Sequence, residues 1–163
     1  VRAWRTVFAL AVVLAMASAG RAERLLGTLA GGRSALPAGV ARGQVLALGR
    51  GALDDLRGRT SAVVSDFPLG ADGTVDLALR RFDPFAPGAR VEVVDERGVR
   101  TLPLPDQAYF VGQVAGDPQS RALVIAGRDR VHGFVVANGT VYPFGPDGAG
   151  RHRSYALRDA DPG

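Results

Sequence analysis

Three observations predict an all-β fold, an antiparallel β-sandwich or open barrel of about nine short strands. Turn residues punctuate the chain at spacings of roughly 8–12 residues, the rhythm of a sheet protein. The runs between them are β-branched or aromatic, and several alternate apolar with polar residues. The composition, 47% hydrophobic with 22 glycines and 10 prolines, suits a loop-rich β domain better than a helical bundle. At 163 residues the chain has room for one domain with a real core.

The N-terminus reads as an export leader. Arg2 and Arg5 precede an apolar run from Val7 to Ala17, and Ala17-Ser18-Ala19 has the small-x-small pattern that signal peptidase accepts, so cleavage is expected after Ala19. The run is about a dozen residues against the roughly 20 that span a bilayer, so no stable membrane anchor is expected after cleavage. An uncleaved anchor is the alternative. The expected address is secreted or periplasmic, through a Sec-type signal peptide.

Charge and cysteine usage narrow the partners. The chain carries 20 basic residues, all arginine, against 16 acids, and residues 1–19 contain two of the arginines and none of the acids. An exported form therefore has 18 arginines against 16 acids, net +2, close to neutral. No arginine cluster is interleaved with aromatics in the way that tracks a nucleic-acid backbone, so no nucleic acid is expected as a partner. The absence of cysteine removes thiol chemistry and disulfide staples. The absence of lysine removes a phosphate loop of the GxxxxGK type.

Residues 20–43 are broken by Gly31-Gly32, Ser34 and Pro37-Ala38-Gly39, and read as a flexible lead-in with at most a short strand or helical turn around Arg24–Leu29. Gln44–Leu48 is the first strand of a β-rich domain spanning residues 44–158, and residues 159–163 form a tail. Gly49-Arg50-Gly51 falls short of a dinucleotide loop because Asp54 stands where the third glycine should be, where its carboxylate would repel a pyrophosphate. Asp54-Asp55-Leu56 fits a single helical turn. Ala62–Phe67 and Thr74–Phe82 are the next strands, and in the second Val75, Leu77 and Leu79 alternate with Asp76, Ala78 and Arg80, the mark of a sheet with one wet face. Arg90–Val94 and Val99–Leu104 flank Asp95-Glu96-Arg97-Gly98, a hairpin with glycine in the left-handed position.

The best-specified stretch runs from Tyr109 to Phe144. Its four apolar runs, Tyr109–Val114, Ala122–Ala126, Val131–Val136 and Thr140–Phe144, predict a four-strand meander. Asn138-Gly139 is a two-residue turn of the primed type, since Asn tolerates and Gly freely adopts positive φ. Tyr155-Ala156-Leu157 is a candidate last strand.

The same stretch carries a resemblance. Tyr109-Phe110-Val111-Gly112-Gln113-Val114-Ala115-Gly116-Asp117-Pro118-Gln119-Ser120, followed by Leu123-Val124-Ile125, Val131-His132-Gly133-Phe134, Asn138-Gly139-Thr140-Val141-Tyr142 and His152-Arg153-Ser154-Tyr155, resembles the propeptide domain of reprolysin-type (adamalysin-like) zinc metalloproteases. The resemblance covers roughly the last two thirds of the chain. It implies a non-catalytic secreted pro-domain that assists folding and latency of a zinc metalloprotease catalytic domain, in cis or in trans, and implies that the chain is the N-terminal part of a longer precursor. The cysteine that supplies a metal ligand near the end of that family's propeptides has no counterpart here.

Catalytic and metal sites find little support. His132 and His152 stand twenty residues apart with no His-Glu-x-x-His, so the two ligands that a zinc protease presents on one helix face are missing. None of Ser18, Ser34, Ser61, Ser65, Ser120 and Ser154 sits in a nucleophile elbow. Ser120 reads as a turn former whose hydroxyl caps backbone groups. Asn138-Gly139-Thr140 is formally a glycosylation sequon, explained equally by its turn. No enzyme activity, cofactor or metal is expected. The candidate partner-contact residues are Phe110, His132, Phe134 and Tyr142, against the alternative that each aromatic fills the core. The competing function is a free-standing secreted β-sandwich for adhesion or carbohydrate binding, with a surface row of aromatics such as Tyr109 with Phe134 or Tyr142.

Overall fold

The structure, a computed structural model, describes residues 21–22, 24–29, 36, 39–147 and 151–160. The expected leader, residues 1–19, and the tail end Asp161-Pro162-Gly163 lie outside the described residues, as does most of residues 30–38.

The meander forms as expected. Strands β8 (Ala108–Val114), β9 (Arg121–Ala126), β10 (Val131–Ala137) and β11 (Thr140–Pro146) pair antiparallel in sequence order. Asn138 and Gly139 sit at φ 50° and 69° with Ala137 opposite Thr140, so both central residues are left-handed, as a primed turn demands. Ser120 closes the β8–β9 turn: its hydroxyl accepts the Val114 N–H at 2.8 Å and donates to the Asp117 carbonyl at 2.6 Å. Every second residue points inward, giving Phe110, Val124, Val135 and Phe144 to the core.

Ahead of the meander come β3 (Gln44–Leu48), α1 (Arg50–Gly58), β4 (Ser61–Pro68), β5 (Thr74–Phe82), β6 (Val91–Asp95) and β7 (Gly98–Leu102). Strands β4 and β5 pair antiparallel with a bulge between Val64 and Phe67, where Asp66 takes φ 53° and its N–H donates to the Asp76 carboxylate at 3.0 Å. The extra residue shifts the inward phase from Ala62 and Val64 to Phe67. Phe67 meets Phe144 edge to face at 4.9 Å, a pairing that adds about 1 kcal/mol to the burial of both rings.

Two expectations need correction. Where one helical turn was expected, α1 runs nine residues and buries Ala52, Leu53 and Leu56. Its start was hard to read because Gly49 occupies the N-cap with no side-chain hydrogen bond. The short strand expected around Arg24–Leu29 forms as β2 (Leu26–Thr28), with Leu25 and Leu26 buried, and β1 (Arg21–Ala22) precedes it. The last strand is β12 (His152–Ser154), just before the expected Tyr155-Ala156-Leu157; Ala156 is buried and a short 3-10 helix follows over Leu157–Asp159. Polar His152 and Ser154 face inward, which no hydrophobic alternation could announce.

Ten strands form one sheet in the order β1-β4-β5-β8-β9-β10-β11-β12-β3-β2, and β6 pairs with β7 in a separate ribbon. All pairs are antiparallel except β1 with β4. The two outermost strands of the large sheet, β1 and β2, are neighbours in the chain, joined through residues 23–25. One stretch of backbone thus touches both edges, and β2 lies against β4. The sheet is a nearly closed barrel rather than a sandwich, filled by a single apolar cluster that includes the buried face of α1.

Candidate protein-binding surface

The barrel interior is occupied by side chains, so surface features are the place to look for function. The most exposed apolar residues belong to the β6–β7 ribbon. Val94 and Val99 face each other across it and are 75% and 66% exposed. Val91 and Leu102, also directly opposite and partly exposed, fall on the ribbon's other face, three positions along from that pair, and Leu104 lies two residues beyond β7. The ribbon's charges are largely satisfied within it, by Arg90 with Glu92 at 2.8 Å and Arg100 with Asp95 at 3.5 Å. Gly98, at φ 105°, follows the two-residue turn Glu96-Arg97 that joins the strands.

A groove of about 440 Å³ lies where the ribbon's connections leave the barrel. Phe82 at the end of β5 is the register partner of Tyr109 on β8, and their rings meet edge to face at 6.1 Å. Phe85 meets Tyr109 from the other connection at 5.9 Å, held by a turn in which its N–H donates to the Asp83 carboxylate at 2.9 Å. The Tyr109 hydroxyl donates to the Gln107 side-chain oxygen at 3.0 Å. Leu104 and Pro105 complete the apolar wall.

Arg81 lines this groove. Arg81 donates from Nη1 to the Arg57 carbonyl at 2.9 Å. Asp106 is shared by Arg128 at 2.6 Å and Arg57 at 2.7 Å, and these two guanidinium groups, Arg128 foremost, hold its carboxyl below the usual value.

Of the four residues expected at a partner contact, two are core residues. Phe110 is 0% exposed and Tyr142 3%, because the inward phase of β8 and β11 falls on them; only the Tyr142 hydroxyl reaches the rim, at Asp72. Phe134, 38% exposed, faces outward from β10, in register with Pro143. His132 is half-buried on the same outer face, and burial, followed by the nearby Arg130, pushes its pKa below the ordinary 6.5. The exposed aromatic row expected for a glycan platform is not assembled from Tyr109 with Phe134 or Tyr142; Tyr109 clusters instead with Phe82 and Phe85. Sequence reasoning missed Phe82, Phe85, Val94 and Val99. The signal for the first two was aromatic residues on either side of Asp83-Pro84, a break that ends a strand.

The second histidine, His152, is buried, and its Nε2 accepts the Val131 N–H at 3.1 Å. Among the described residues no group of three or more His, Asp or Glu is placed to hold a metal ion, and no helix is long and apolar enough to cross a membrane. Neither protein-family models nor curated proteins give a match to this chain.

Proposed function

We propose that this chain is an exported, non-catalytic pro-domain that assists the folding and latency of a zinc metalloprotease catalytic domain, docking on it through the β6–β7 ribbon. The observation that carries this reading is the exposure of Val94 and Val99. A regular hairpin that leaves paired valines in water, with its charges turned on one another, is an interaction surface. The resemblance to reprolysin-type propeptides supplies the kind of partner. Its most specific run, Tyr109 to Ser120, coincides with β8 and the turn that Ser120 closes. No residue of this chain can offer the metal a thiolate, so the part this domain takes in latency is to cover the catalytic cleft.

The test is to mix the protein with a cognate reprolysin-type catalytic domain and measure co-purification and peptidase inhibition. The expected result is a complex that weakens at least tenfold when Val94 and Val99 are both replaced by arginine, since charge at the core of an interface is strongly disfavoured. Absence of both binding and inhibition would remove the proposal.

A further inference from the structure

We infer that the groove beside Tyr109 is a recognition site for an acidic-apolar peptide segment of the partner, a carboxylate side chain flanked by an aliphatic one. This deepens the docking reading above and rests on it for the identity of the partner. Arg81 and Asp83 are the charged residues that line the groove, and the Asp83 carboxylate already accepts the Phe85 N–H. Arg57 and Arg128 are both paired with Asp106, whereas Arg81 has no carboxylate within ion-pair distance among the described residues. Its hydrogen bond from Nη1 to the Arg57 carbonyl holds the guanidinium and leaves further donors for a ligand. A guanidinium anchored in this way is suited to a carboxylate, which it meets with two parallel N–H donors.

Phe82 and Phe85 both meet Tyr109 edge to face, so the rings wall a cleft and do not form the coplanar row on which a sugar ring stacks. An aliphatic side chain fits between such walls, and Leu104 and Pro105 continue the apolar surface. The groove is also close in sequence to the ribbon, since Leu104 lies two residues after β7, so one partner segment can cover both.

The probe is an acetylated, amidated tripeptide of leucine, glutamate and leucine, titrated into the full chain by NMR beside its glutamine and lysine counterparts. The glutamate peptide is expected to shift the resonances of Phe82, Phe85 and Tyr109 and to bind about tenfold more tightly than the glutamine one, the scale of a charge-assisted hydrogen-bond pair. Arg81→Gln should abolish that preference, and Phe85→Ala should weaken both peptides. Equal binding of the glutamate and glutamine peptides, no shift at the three rings, or displacement of the peptide by neutral oligosaccharides would each overturn the inference. The two proposals fail separately. A catalytic-domain complex untouched by Arg81→Gln sinks this one alone, and peptide binding without any catalytic-domain complex sinks the docking proposal alone.

Discussion

The Tyr142 hydroxyl on β11 donates a 2.8 Å hydrogen bond to the carboxylate of Asp72, in the turn between β4 and β5. Arg158, from the 3-10 helix, reaches the same carboxylate and also donates to the Thr140 hydroxyl at 2.6 Å, and Arg42 lies 4.0 Å away. One carboxylate therefore ties together three separate parts of one barrel end. Tyr142 first, then Arg158 and Arg42, hold its pKa below 3.8. A carboxyl lowered by folding adds stability above its unfolded value and loses it as pH falls through the lower folded value. Tyr142→Phe is expected to move Asp72 back toward 3.8 and to make acid unfolding less steep below about pH 4. Carboxyl-carbon NMR titration and urea midpoints against pH check both effects.

His152 carries the opposite charge change. Burial, outweighing the nearby Asp147 and Asp129, pushes it below 6.5, and Nε2 is occupied as an acceptor, so the neutral ring holds its proton on Nδ1. The unfolded chain takes up a proton near 6.5 while the folded one resists, so stability is full above that value and declines as pH falls through it. His132 adds to the same trend. Denaturant unfolding between pH 8 and 5 should show a slope of up to about 1.4 kcal/mol per pH unit for each such histidine. His152→Gln, which keeps an acceptor for Val131, should flatten part of it; an unchanged slope would count against His152 as its source.

Asn138 tests the turn. At φ 50° it tolerates glycine, so Asn138→Gly should leave stability within a few tenths of a kcal/mol. Asn138→Val should cost about 1–2 kcal/mol, because a β-branched residue is strained in the left-handed region. Thermal unfolding of the two variants separates these outcomes.

Gly112 and Gly133 test close approach between strands. A Cβ on Gly112 would overlap the Ala78 carbonyl oxygen, and one on Gly133 the Leu123 carbonyl oxygen and the Phe144 ring. Each alanine substitution should cost about 1–3 kcal/mol or more by forcing the sheet apart. Alanine at Gly139, where a Cβ meets nothing, should be milder, with only the left-handed φ to penalise it. Equal losses at all three positions would contradict this account.

Much of the fold was legible in local chemistry. Gln44–Leu48 and Thr74–Phe82 coincide with β3 and β5, and the other expected strands between Ala62 and Phe144 shift by one or two residues at their ends. Turn residues and period-two alternation act within a few positions, so a sequence displays them directly. Of the two outermost strands, β2 lies within the expected Arg24–Leu29, whereas β1 did not show, because two residues are too short to establish a period and their partner is far along the chain. The exposed ribbon was legible as a hairpin but not as a surface, since Val91–Asp95 and Gly98–Leu102 look the same in sequence whether one face is buried or none is. Phe110 and Tyr142 were misplaced for a related reason: alternation groups residues onto faces without saying which face is inside.

The position of β12 between β11 and β3 has a consequence in time. A ribosome delivers β3 among the first strands and β12 last, while β8 to β11 need only their immediate neighbours to pair. Pairings between distant segments form slowly. Until His152–Ser154 emerges, β3 and β11 each present an open edge, and an open edge invites a strand from another molecule. A nascent or clipped chain that stops short of those three residues is thus a different object from the finished barrel, sticky where the barrel is sealed, and the stretch Arg151 to Ala156 decides which of the two a cell obtains.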